Sequence, residues 1–222
     1  MKNGKIDAIS IFLIIVLAIG AGLLIFSLMS SFGAEAQGNQ DHPQMKKASR
    51  MLLTPFDREI GKELMDQNND GKCDVCGMPV EQCLDAGQIE CNMGMDTSSK
   101  IGILGSEHIH ANFKVYIDGK ILDFADSKYY MKSSFLHLDD DPNKEKASSV
   151  LHMHATGVPL WVFFKSLGMD FNSTCIAPEN EEILCNDGNK KLKFFVNGIE
   201  NNEFENYVFK DSDKILISYG NE

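Results

Sequence analysis

The sequence lacks the short motifs that carry much enzyme chemistry. It has no HExxH helix, no glycine-rich phosphate loop and no nucleophile elbow. It also lacks a basic run, since 21 Lys and Arg face 32 Asp and Glu and the formal charge is −11. An acidic surface disfavours nucleic acids and anionic lipids and is compatible with cations. We therefore expect metal ions, and no nucleic acid, as partners.

Charge is absent from residues 8–29, AISIFLIIVLAIGAGLLIFSLM. About 20 apolar residues span a bilayer, whereas the core of a signal peptide has only about 7–15. Lys2 and Lys5 precede the segment, and no cation follows before Lys46. The positive-inside rule therefore predicts a single-pass membrane anchor, with the chain after about residue 34 outside the cytoplasm. The alternative is a signal peptide cleaved at residues 34–36, which also exports the rest.

Composition divides the chain into four parts. We expect a cytoplasmic tip and transmembrane anchor over residues 1–33 and a polar stalk over 34–52. A Cys- and Met-rich module follows over 53–97, and a strand-rich domain over 105–222. Within the module, Thr54 is placed to cap a helix that starts at Pro55 and carries apolar residues at helical spacing.

Residues 105–222 carry the pattern of a mixed sheet with one main helix. Alternating residues around Asp118-Gly119 predict a hairpin, and residues 159–169 predict a buried helix. Further strands are expected at 135–138, 149–153, 193–197 and 214–219. The ending FFVNGIENNEFENYVFKDSDKILISYG resembles the second half of ubiquitin-like sulfur carriers, which implies a β-grasp domain. Their Gly-Gly tail is missing, so their acyl-transfer chemistry is not implied. The predicted fold class is α+β.

Five of the six histidines lie in one short region, at His108, His110, His137, His152 and His154. Side chains at i and i+2 of a strand share a face, so each His-x-His pair points two imidazoles the same way. We predict that the two pairs bind one transition metal, copper first and zinc second, with His137 as a fifth ligand or supporting group. Affinity should then fall as the pH drops through about 6.5. A hydrogen-bonded network, separate surface histidines and a pH sensor are the alternatives.

Acidic residues follow the third of these histidines, at Asp139, Asp140 and Asp141. They are expected to orient imidazole N–H groups. The segments HIHANFKVYIDG, FLHLDD and VLHMHATGVPLWVFF resemble a group of archaeal and actinobacterial membrane or surface proteins with the same motifs in the same order. The resemblance covers roughly residues 56–222 and bears on the division into domains more than on an activity.

The module opens with a sequence typical of a calcium loop. Its predicted ligands are Asp66, Asn68, Asp70, the carbonyl of Lys72 and Asp74. Position 12 should be a bidentate Glu but is Gly77, so we expect weak affinity of about 10⁻⁴–10⁻³ M. The alternative is an Asn/Asp/Gly turn that binds no ion.

Cys73, Cys76, Cys83 and Cys91 have a spacing that allows two disulfides, a thiolate metal site or, less simply, redox chemistry. The segment CDVCGM resembles the CxxCGM element of copper-handling modules, including the copper chaperone lipoprotein of nitrous-oxide reductase. Three methionines, Met78, Met93 and Met95, add thioethers that suit copper. Cys175 and Cys185 flank a polar loop and are predicted to form a disulfide.

These features predict a membrane-tethered, extracytoplasmic metal-binding protein, a copper or zinc carrier or sensor, that also has a possible calcium loop. A metal-dependent enzyme at the same histidines is the first alternative, and it would require an open coordination position and a base. A surface interaction module stabilised by calcium and disulfides is the second. We expect binding rather than catalysis.

Overall fold

The computed structural model describes residues 52–92, 100–143, 145, 148–178 and 182–221. These residues belong to one compact unit that spans Ser49–Glu222. The predicted membrane anchor, together with Met93 and Met95, lies outside the described residues. Within the described part of the chain, no helix has the length and apolar character needed to cross a bilayer.

The fold is α+β, with few helices and a mixed sheet. The α-helices are α1 (Pro55–Met65), α2 (Val80–Asp85) and α3 (Leu160–Ser166). The strands are β1 (Ile109–Ile117), β2 (Lys120–Ile121), β3 (Leu136–Leu138), β4 (Val150–Met153), β5 (Asp170–Phe171), β6 (Cys175–Ala177), β7 (Leu184–Cys185), β8 (Lys190–Val196), β9 (Ile199–Glu200) and β10 (Lys214–Asn221).

The main sheet has the order β3-β4-β1-β10-β8-β9, with β2 paired to β1. Its central pair, β1 and β10, is parallel, and the other pairs are antiparallel. The predicted hairpin after β1 is confirmed. Asp118 and Gly119 both have positive φ, as do Asn197 and Gly198 in the turn between β8 and β9. Two such residues make the tight turn that joins antiparallel strands, which explains the Asx-Gly pair at both places.

The two faces of β1 have different surroundings. Ala111, Phe113 and Val115 are buried on one face, where Phe113 packs against Phe163 of α3 with ring centres 5.3 Å apart. Side chains alternate along a strand, so His110 belongs to the opposite face. The histidines of the sheet therefore lie on the face that α3 does not cover.

Helix α1 begins at the predicted cap, which is confirmed. The Thr54 hydroxyl accepts the N–H of Asp57, and the Asp57 carboxylate accepts the N–H of Thr54. The Asp57 side chain is fully buried and also accepts bonds from the Ser133 hydroxyl at 2.6 Å and the Ser134 N–H at 2.8 Å. It thereby fastens the start of the module to the loop that precedes β3.

A second sheet of three short strands, β5-β6-β7, was not predicted from the sequence. Its strands are only two or three residues long, too short for an alternating pattern to be recognised. Cys175 and Cys185 lie directly opposite each other on β6 and β7 and form a disulfide. The predicted disulfide is therefore confirmed.

Candidate metal centres

Strand register brings the five clustered histidines together. His110 on β1 lies opposite His152 on β4, and His137 on β3 lies opposite the same His152 from the other side. His108 immediately precedes β1 and His154 immediately follows β4, with ring centres 4.5 Å apart. Three neighbouring strands thus present one continuous group of imidazoles, which we call the His cluster.

Distances within the His cluster suit a shared ion. Five further pairs have ring centres 4.5 Å (His110–His152), 4.8 Å (His108–His110), 5.1 Å (His137–His154), 5.9 Å (His137–His152) and 6.4 Å (His108–His152) apart. Imidazoles on one ion have ring centres at most about 6.4 Å apart, because metal–nitrogen bonds are about 2.0–2.1 Å long. Three of these residues, His108, His152 and His154, have ligating nitrogens that lie within 4.8 Å of one another.

Burial keeps several of these rings neutral. The side chain of His137 is 1% exposed, and burial lowers its pKa against the opposing effect of Asp139. Burial, together with the neighbouring imidazoles, lowers the pKa of His152 and of His154 to about 4, against the opposing effect of Asp139. Neutral imidazole is the form that binds metal, so proton competition at these two rings begins below the pH of about 6.5 expected from the sequence.

One buried ring has its tautomer set by the backbone. Nδ1 of His137 donates to the carbonyl of Ser133 at 2.7 Å, and a carbonyl can only accept. In the neutral ring, Nε2 therefore carries a lone pair. Nothing in the sequence marks Ser133 for this role, because the bond depends on the fold of the loop before β3.

Carboxylates border the His cluster on two sides. The predicted neighbour Asp139 lies between two rings, with its oxygens 3.4 Å from Nε2 of His137 and 3.4 Å from Nδ1 of His152. Asp211 was not predicted as a neighbour. Its Oδ1 accepts the backbone N–H of His110 at 3.0 Å and lies 4.0 Å from Nδ1 of the same ring. It comes from the turn before β10, about 100 residues along the chain, so only the parallel pairing of β1 and β10 reveals it.

The structure shows no disulfide among Cys73, Cys76, Cys83 and Cys91. The sulfurs of Cys73, Cys76 and Cys91 lie within 4.8 Å of one another, and Cys83 on α2 contacts Cys76. The backbone N–H of Met78 bonds the sulfur of Cys76 and lowers its pKa, whereas burial raises the pKa of Cys83. We call this group the Cys cluster.

The predicted calcium loop is folded by its own hydrogen bonds. The carboxylate of Asp66 accepts the N–H groups of Asp70 and Gly71 at 2.9 Å each. The carboxylate of Asp74 accepts from the N–H of Gln67 and from the Asn68 amide. These bonds suffice to shape an Asx-type turn. Calcium at the five predicted residues stays a prediction: Asp66, Asn68, Asp70, Lys72 and Asp74.

Comparison with known proteins gives no match: no family model, no curated protein and no solved structure is similar to this chain. The resemblances seen in its motifs therefore stay predictions.

Proposed function

We propose that the protein binds one divalent transition metal ion at the His cluster and acts as a metal carrier or sensor. The observation that supports this best is the group of His108, His152 and His154, whose ligating nitrogens lie within 4.8 Å of one another. These imidazoles come from β4 and from the residues next to β1 and β4, which are adjacent strands. Three nitrogens form a set that zinc, copper and nickel accept.

The remaining rings and carboxylates support these three ligands. His110 and His137 flank His152 on the two neighbouring strands, so either can complete the coordination. Metal-bound histidines usually hold their second ring nitrogen against a carboxylate or a carbonyl. Asp139 lies beside Nδ1 of His152, which leaves Nε2 of that ring for the ion.

Copper is the first candidate for the ion and zinc the second. Along the divalent series, nitrogen ligands bind copper most tightly. His108 is exposed, while His152 and His154 are partly buried. An ion bound there would contact both solvent and protein, and such a site suits exchange with a partner better than permanent storage.

The proposal includes a membrane tether and a β-grasp-like domain. The uncharged segment 8–29, with lysines only before it, supports an anchor whose C-terminal part lies outside the cytoplasm. The central parallel pair of β1 and β10, flanked by β4 and β8, with α3 after β4, supports the β-grasp assignment. Protease added to intact cells should degrade residues 105–222. A mature chain that starts at Gln37 would contradict the anchor, and protection from the protease would contradict export.

A metal-dependent enzyme is the second candidate, because three histidines leave a coordination position for water. Asp139, 3.4 Å from two of the rings, is the available base. Metal-dependent turnover that is lost in Asp139→Asn, with the metal still bound, would favour this candidate over the carrier.

Binding is tested by titrating the full-length protein with Cu²⁺ and Zn²⁺ against a competing chelator. The double variant His152→Ala/His154→Ala should lower the affinity at least about 100-fold, because removing two ligands from a site of three or four abolishes chelation. His42→Ala is the matched control, since His42 is the histidine outside the cluster region. Equal affinities in the double variant and the control would overturn the proposal.

A further inference from the structure

The Cys cluster is independent of the His cluster and has a different chemistry. Its four sulfurs come from a tight turn, from helix α2 and from the segment after that helix. Cys73, Cys83 and Cys91 are at most 5% exposed, and Cys76 is partly buried. Buried thiols at this density require an explanation beyond the packing of apolar side chains.

The geometry points to a structural zinc site in which Cys73, Cys76, Cys83 and Cys91 are the four ligands. Zinc–sulfur bonds are about 2.3 Å long, so the sulfurs of a tetrahedral site lie about 3.8 Å apart. Three of the sulfurs already lie within 4.8 Å of one another, and the fourth contacts Cys76. A small movement of buried side chains closes the site.

The local backbone fits this assignment. Cys73 N–H donates to the carbonyl of Met78 at 2.8 Å, and Gly77 N–H donates to the carbonyl of Cys73 at 2.7 Å. These two bonds make a tight turn that places Cys73 and Cys76 on the same side. Gly77 has a φ of +70°, which glycine adopts without strain. The turn therefore presents both sulfurs to the same ion.

Four protein ligands leave no open position, so the expected role is structural rather than catalytic. The segment 55–92 has few buried apolar residues of its own, chiefly Ile60, Met65, Val80, Leu84 and Ile89. Segments of about 40 residues seldom bury enough apolar surface to be stable, and metal ions commonly compensate. An ion that joins the turn, α2 and the segment after it would lock this module, and the thiol protons would leave to solvent on binding.

Alkylation distinguishes the two states, because a chelator frees metal-bound thiolates whereas only a reductant frees disulfides. The full-length protein is purified without added reductant, and its zinc content is measured first. One sample is then treated with chelator alone and another with reductant, and both are unfolded and alkylated. We expect one zinc per chain, with four cysteines labelled after chelator alone. Cys175 and Cys185 should be labelled only after reductant, and they serve as the internal control.

Three outcomes would overturn the assignment. Labelling of the four cysteines only after reductant would show disulfides. Full labelling of the native protein, with no bound metal, would show four thiols without an ion. Iron in place of zinc would show an electron-transfer site, because a tetrahedral set of four sulfurs also suits iron.

A variant pair adds a second readout. Cys83→Ser should lower zinc affinity at least about 100-fold, because one of four ligands is lost. Cys175→Ser/Cys185→Ser should leave the zinc content at one per chain. If Cys83→Ser does not fold, cobalt substitution of the unaltered protein still decides, since thiolate-to-cobalt charge-transfer bands are expected and their absence would contradict the site. The His152→Ala/His154→Ala variant should retain this zinc, so the two sites can fail separately.

Discussion

Asp57 offers the clearest test of how helix α1 is joined to the loop before β3. Its buried carboxylate accepts three hydrogen bonds, from the N–H of Thr54 at 2.9 Å, the hydroxyl of Ser133 at 2.6 Å and the N–H of Ser134 at 2.8 Å. The substitution Asp57→Asn keeps the shape of the side chain and removes the charge. It therefore isolates the electrostatic part of the junction.

The expected cost follows from these contacts. The asparagine Oδ1, placed where Oδ2 of Asp57 lies, can still accept the two N–H groups, while the Ser133 hydroxyl must turn to accept from the new amide. Bonds to a charged group contribute about 1.5–3 kcal/mol each, against about 0.5–1.5 kcal/mol for neutral ones. Loss of charge at three bonds, at about 1–1.5 kcal/mol each, should thus lower the free energy of unfolding by about 3–4.5 kcal/mol.

Urea unfolding at pH 7, followed by circular dichroism, measures this change. Glu59→Gln is the matched control, because Glu59 is exposed on the same helix, and it should alter the free energy of unfolding by less than about 0.5 kcal/mol. Equal stabilities of Asp57→Asn and Glu59→Gln would refute the reasoning about this junction.

Two further predictions use the same unfolding assay. The metal-free protein should lose stability as the pH falls from about 6.5 to about 4. The folded pKa values of His152 and His154 are about 4, below the ordinary value, so the unfolded chain binds more protons than the folded chain in that pH range. A free energy of unfolding that does not change with pH in that range would contradict this. Gly157→Ala should destabilise by about 2–4 kcal/mol, because its φ is +71° and the new Cβ would lie 2.7 Å from the carbonyl oxygen of Lys100. Gly188→Ala, which has open space around it, should change stability little and is the control.

Local features of the fold could be predicted from the sequence at positions where the residue type strongly favours one local structure. Thr54 capped α1 as expected, and the Asp118-Gly119 pair marked a tight turn. The spacing of the His-x-His pairs placed their imidazoles on one face, and antiparallel pairing then brought His110 opposite His152. Short-range chemistry was enough for each of these features.

Contacts between residues that are far apart in the sequence could not be predicted. Ser133 and Asp211 touch the His cluster only because the loop before β3 and the turn before β10 return to it. The role of Asp57 was missed for the same reason, since a first-turn acid also occurs on exposed helices. Whether the four module cysteines were thiols or disulfides was left open by their spacing, and their close approach was visible only in the structure.

The most direct test of metal binding at the His cluster is pulsed electron paramagnetic resonance of the full-length protein loaded with one equivalent of Cu²⁺. The remote nitrogen of a coordinated imidazole modulates the echo, so the signal counts histidine ligands. We predict at least three imidazoles, and one fewer in His108→Ala, because the ligating nitrogens of His108, His152 and His154 lie within 4.8 Å of one another. A spectrum with no imidazole nitrogen, or one unchanged by His108→Ala, would contradict the account.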